Sequence, residues 1–77
     1  MTFLINIPRL SVAISEATLI ETLVGDGESV EEGDALYVVE TEKVETEISA
    51  GASGTVRWTG ETGTVYPIGT QIGMIEN

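Results

Sequence analysis

The chain has 77 residues and a formal net charge of −10, from 13 acidic and 3 basic side chains, with no histidine and no cysteine. That composition excludes a disulfide framework and a thiolate metal site and removes the commonest general base near neutral pH. It also sets the surface against nucleic acid and anionic membranes, while steering it towards partners with basic docking surfaces.

At this length one domain over residues 1–77 is expected, with a core drawn from the 42% of residues that are apolar. A chain this short buries only about 60% of its unfolded surface, so that core must be compact. The opening stretch, MTFLINIPRL, is too short an apolar run for a membrane span and lacks the basic leader of a secretory signal. A cytoplasmic location is therefore expected.

In chain order, FLINI (3–7), TLIETL (18–23), ALYVVET (35–41), VETEIS (44–49), TVRWT (55–59) and QIGMIE (71–76) read as strands. The stretches GDGESVEEGD and TGETGTVYPIGT between them are dense in turn formers. No window shows helical apolar spacing over the eleven or so positions a helix needs. Short strands at regular intervals predict an all-β sandwich or small barrel.

The strands also repeat. At an offset of 36, Gly27 falls on Gly63, Gly33 on Gly69, Leu36 on Ile72, Val39 on Ile75 and Glu40 on Glu76. Ile20 falls likewise on Val56. Residues 15–40 and 51–76 thus read as two copies of one unit, neither able to bury its apolar face alone.

The strands 35–41 and 44–49 leave only Glu42 and Lys43 between them, which predicts a tight hairpin. Turns of that kind favour Asn-Gly or Asp-Gly, so Glu-Lys breaks a local rule, as functional positions do. Alternation places Val44, Thr46 and Ile48 on one face and Glu45 and Glu47 on the other. Lys43 is the sole lysine of the chain, and it is expected to project from the end of the molecule. Gly27, 16 residues before it, and Gly54, 11 after it, can supply sharp turns that a Cβ would obstruct. Gly33, Gly63 and Gly69 are assigned the same turn role. A lysine placed so can also serve merely to solubilise a turn.

The run GESVEEGDALYVVETEKVETEISAGASGTV, with SEATLIE before it and GTVYPIGTQIGMIE after, resembles a lipoyl domain of the acyltransferase component of 2-oxo acid dehydrogenase complexes. The resemblance runs from Phe3 to Glu76, and its most specific part, ETEKV, is similar to the family's E-T-D-K-A/V hairpin. It implies a flattened β-barrel or sandwich of two four-stranded antiparallel sheets with quasi-two-fold symmetry. It makes Lys43, flanked by Glu42 and Val44, the site of amide-linked lipoic acid.

The implied partners are a lipoate ligase or lipoyltransferase, a thiamine-diphosphate-dependent 2-oxo acid decarboxylase, an acyltransferase core and dihydrolipoamide dehydrogenase. The domain itself would do no chemistry, and neither a catalytic residue nor a metal ligand is assigned. In a eukaryotic subunit the location becomes the mitochondrial matrix.

Attachment needs a neutral amine, whereas Glu40, Glu42 and Glu45 favour the charged form, so the ligase is expected to remove the proton. Recognition is assigned to Glu40, Glu45, Ser15 and Glu16. The last two match the family's S-E-A/G-T pattern in a loop, RLSVAISEAT, that the resemblance puts beside the lysine hairpin. Glu47 is read as solubilising, and Trp58 and Tyr66 as packing residues.

The chain departs from the family at three places: Thr22 replaces a common tryptophan, residues 9–12 lack a usual glycine, and Glu45 is unusually acidic. The alternatives are a biotin carrier, which normally has methionine on both sides of the lysine, the glycine cleavage carrier, an unmodified acidic interaction module, and a hydrolase with paired carboxylates.

Overall fold

The computed structural model describes residues 1–42 and 44–77. Eight strands form: β1 (Thr2–Asn6), β2 (Glu16–Thr22), β3 (Ser29–Val30), β4 (Ala35–Glu40), β5 (Glu45–Ser49), β6 (Gly54–Trp58), β7 (Thr64–Pro67) and β8 (Gln71–Glu76). They make two four-stranded antiparallel sheets, ordered β1-β8-β6-β3 and β5-β4-β2-β7. Advancing every strand number by four converts the first order into the second, so the sheets are related as the two halves of a repeat.

Six of the eight strands coincide within two residues with the apolar, β-branched runs of the sequence. The exceptions, β3 and β7, lie inside the glycine-rich stretches read as turns. Ser29 and Val30 pair with Thr55 and Gly54, and Thr64–Pro67 pairs with Glu16–Leu19. Both are short edge strands held by the neighbour they pair with, and period-2 patterning is too brief in them to register.

Leu36, Ile72, Val39 and Ile75, two of the repeat-related pairs, are all buried to within 1%. One pairing needs correction. Val56 is fully buried, but Ile20 is only half-buried, and Leu19 takes the matching place in the core. The cause is a bulge in β2: Leu19 pairs with Val39 and Glu21 with Val38, so two steps along β2 cover one along β4. The offset is therefore 37 ahead of the bulge (Leu19 to Val56) and 36 behind it.

Positive φ occurs at Gly27, Gly33, Gly54, Gly63 and Gly69 and, among the described residues, at no other type. Gly54 has the strongest requirement. Its φ is +154°, and a Cβ there would run into the backbone oxygen of Glu76.

Polar atoms inside the sandwich are matched. Trp58 Nε1 donates to Val24 O at 2.8 Å, and Tyr37 Oη donates to Asn6 O at 3.2 Å. The two rings meet edge to face at 5.9 Å. Burial pushes the Tyr37 phenol up to about 12. Tyr66 is half-buried, and its hydroxyl accepts from Glu61 N at 2.8 Å.

The chain ends lie side by side. Met1 N donates to Asn77 O at 3.1 Å, and Asn77 N to Met1 O at 3.0 Å. The ring of Phe3 lies over Gly51, just past the end of β5. Since β5 starts beside the end of β4, the termini sit at the far end of the β4–β5 hairpin from its reversal. The molecule is 33 Å along its longest axis.

Candidate functional site

The ladder between β4 and β5 ends at the pair Glu40–Glu45. Beyond it Thr41 N donates to Val44 O at 2.9 Å, which closes the reversal. Glu42 has a negative φ, as do all described residues other than glycine. Both primed turn types need a positive φ at the first central position, so the hairpin is not closed by either.

Residues 35–40 supply the rigid arm. Val39 is fully buried and Leu36 nearly so, which pins β4 in the middle of its sheet, while Glu40 emerges exposed at its end. On β5, Thr46 and Ile48 are half-buried and Glu45 and Glu47 exposed, in line with their alternation. Val44 departs from it. The strand begins only at Glu45, so Val44 belongs to the reversal, faces solvent and is 57% exposed. The sole lysine, Lys43, lies outside the described residues.

A second element reaches the same end of the molecule. The β1–β2 connection takes nine residues (7–15), whereas its repeat counterpart, β5–β6, takes four (50–53). The longer loop is held at both ends: Ile7 N donates to Thr70 O at 2.9 Å, and Ile68 N to Ser15 O at 3.0 Å. Between them Leu10 packs on the core, Ala13 N donates to Ser11 Oγ, and Val12 stands 93% exposed.

This loop delivers Ser15 and Glu16 to one side of a shallow open concavity. Glu40, Thr41 and Glu42 form the other side, and Thr18 and Val65 its floor. Ser15, Glu16, Glu40 and Glu42 are thus brought together. Glu45 stands apart from the concavity, opposite Glu40 on the exposed edge. Val65 was missed in the sequence because β7, which carries it, hides in a turn-rich stretch, and Thr18, though in a legible strand, is set in the concavity only by its pairing with Glu40 and Val65. Among the described residues no group of acids is arranged to hold a metal ion.

Electrostatically the hairpin side of this end is acidic among the described residues, while on the loop side Arg9 Nη1 donates to Ile14 O at 3.4 Å. Glu40 and Glu45 face each other directly, and like charges in that position repel. Glu45→Thr is expected to raise the thermal midpoint at low salt by at most about 4 °C. The gain should shrink as salt screens the pair, and thermal melts at two ionic strengths check it.

The flanks suit a covalently extended side chain at position 43. Glu42 and Val44 are both exposed, and the adjoining concavity is open to solvent.

Comparison with known proteins gives a consistent picture. The family profile described as "Biotin-requiring enzyme" (Biotin_lipoyl) matches residues 4–75. The chain is 36% identical over 72 residues to the dihydrolipoyllysine-residue succinyltransferase component of the 2-oxoglutarate dehydrogenase complex of Bacillus subtilis (strain 168), covering 92% of this chain and 17% of that one. It is also 36% identical over 72 residues to the Rickettsia conorii protein of that name, covering 92% and 18%. The Staphylococcus aureus (strain USA300) protein of the same name is 38% identical over 50 residues, 65% of this chain and 12% of its own. The chain spans less than a fifth of the length of these relatives.

Proposed function

The chain belongs to the family of biotin- and lipoyl-attachment domains, and from that premise we propose that it is a lipoyl carrier, with lipoic acid joined by an amide to Lys43. The observation that carries the reading is the β4–β5 reversal. Strand β4, buried in its sheet, turns back into the edge strand β5 through a reversal whose flanking residues are exposed, and the chain's one lysine stands at its centre in sequence. The similar succinyltransferase components favour lipoate over biotin. So do Glu42 and Val44, since a biotin carrier would have methionines there.

In this reading bound lipoate supplies a dithiolane that accepts an acyl group and a pair of electrons together. The chain's own work is mechanical and electrostatic. Val39 and Leu36 anchor β4, so the reversal keeps a fixed place on the domain while the arm beyond it moves. Glu40, Glu42 and Glu45 keep the tip hydrated and away from apolar surfaces. Ser15, at the end of the long loop, and Glu16, the first residue of β2, present a second patch that a partner reads together with the hairpin. Tethering converts encounters between separate proteins into intramolecular visits, which raises the effective concentration to the millimolar range.

The partners are a lipoate ligase or lipoyltransferase, a thiamine-diphosphate-dependent 2-oxo acid decarboxylase, an acyltransferase core and dihydrolipoamide dehydrogenase. Acyl transfer from the carrier to coenzyme A falls to the core, and no catalysis is assigned to this domain.

The test is co-expression of the 77-residue chain with a lipoate ligase and, separately, with a biotin ligase, followed by intact mass. One lipoyl increment with the first and none with the second is expected. Efficient biotin addition without lipoate would replace the reading by a biotin carrier. An unchanged mass in both arms would leave an acidic interaction module.

A further inference from the structure

Four strands lie at sheet edges: β1, β3, β5 and β7. Exposed edges recruit other strands unless something blunts them. Three of the four are blunted. Strand β3 has two residues, β7 has four and ends on Pro67, and β5 shows Glu45 and Glu47 to solvent. Strand β1, TFLIN, is five residues long, uncharged and free of proline, with Phe3 44% and Leu4 51% exposed.

The hydrogen-bond phase shows which backbone groups are free. Met1 and Asn77 exchange both backbone bonds. Doubly bonded pairs alternate along an antiparallel ladder. With Phe3 opposite Ile75 and Ile5 opposite Gly73, those residues bond to β8. The N–H and C=O of Thr2 and Leu4 therefore point to the open side.

The two-fold repeat supplies an internal comparison. The edge strand equivalent to β1 is β5, and an offset of 43 sets Thr2 against Glu45 and Leu4 against Glu47. The same two outward positions carry glutamates on one edge and threonine and leucine on the other.

We propose that β1 is an association edge for a second copy of this chain. The copies pair antiparallel about a two-fold axis through Phe3, and Thr2 of each exchanges backbone bonds with Leu4 of the other. Two four-stranded sheets thereby continue as one of eight.

Charge selects a second copy as the occupant. A basic partner is drawn to the other sheet and its approaches, which carry Glu16, Glu21, Glu40, Glu45 and Glu47. Next to β1 the acid on β8, Glu76, is engaged by Arg57 at 3.2 Å, so this strip lets two chains of net charge −10 meet without facing carboxylates. A five-residue edge buries well under the roughly 1,200 Å² of a stable interface, so the pairing is weak and needs high concentration. Salt screens the net repulsion and strengthens it.

Sedimentation equilibrium of the 77-residue chain from micromolar to millimolar, at about 0.02 M and about 0.5 M salt, tests this. The apparent mass should rise from 8.2 kDa towards twice that value, further at high salt, with the Thr2 and Leu4 amides gaining protection from exchange. Leu4→Lys should hold the mass at one chain with an unchanged circular dichroism spectrum. The double variant Glu45→Thr/Glu47→Leu, which gives β5 the pattern of β1, should deepen association. A wild-type mass fixed at one chain throughout overturns the proposal. So does association that survives Leu4→Lys, or that weakens as salt is added.

Discussion

Under the lipoyl-carrier reading, Lys43→Arg is expected to abolish lipoylation completely. When the variant is co-expressed with a lipoate ligase, intact mass should show the unmodified chain alone. Amide formation needs a nitrogen that can shed its proton and attack, and a guanidinium stays protonated at any pH the ligase tolerates. The substitution keeps the positive charge and introduces neither glycine nor proline. The thermal midpoint should therefore move by no more than the equivalent of about 0.5 kcal/mol. Loss of modification then reports the attachment atom and not a loss of fold. The one other primary amine is the α-amino group of Met1, which donates to Asn77 O at the far end of the hairpin. An increment that persists on the arginine variant would move attachment there and remove the hairpin from the mechanism.

Leu19→Ala should be the most damaging conservative truncation in the core. Leu19 is fully buried at the centre of β2, paired with Val39 on one side and Thr64 on the other. Its removal takes apolar contact from a sheet whose strands are short and cannot collapse inward without breaking register. Losses of this kind cost about 2–5 kcal/mol, against a total stability of roughly 4–11 kcal/mol for a chain this size. At about 4–8 °C per kcal/mol the midpoint should fall by at least about 8 °C. Calorimetry or a thermal melt by circular dichroism measures it. Val12→Ala, at a position 93% exposed, is the control and should change little. A drop under about 4 °C for Leu19→Ala would mean the core lies elsewhere.

Much of the architecture was legible because the core is written twice. Leu36 and Ile72, like Val39 and Ile75, recur at one spacing, and glycine punctuates both copies at the same places. What escaped reading has local causes. Strands β3 and β7 are too short for alternation to emerge from turn-forming neighbours, so Val65 could not be placed beside the hairpin. The bulge at Ile20 shifts one copy by a single residue, and a constant offset then selects the wrong core position. Alternation set Val44 on the face of Thr46 and Ile48 because a period of two was extended past the point where pairing stops. The grouping of Ser15 and Glu16 with Glu40 and Glu42 depends on the surplus length of the 7–15 loop. That length is visible in the chain, but its direction is set only when Ile7 and Ser15 are fastened to the segment 68–70.

The adjoining ends of the chain govern how the domain meets a pull. Strands β1 and β8 are antiparallel neighbours, so tension applied to Met1 and Asn77 loads the bonds of that pair in succession, as in opening a zip. Resistance along such a line is low, since each bond yields before the next is strained. Force passing through a flexible tether on both sides would peel β1 away from Thr2 onwards. The β4–β5 hairpin, embedded in the opposite sheet, would be among the last parts to feel it.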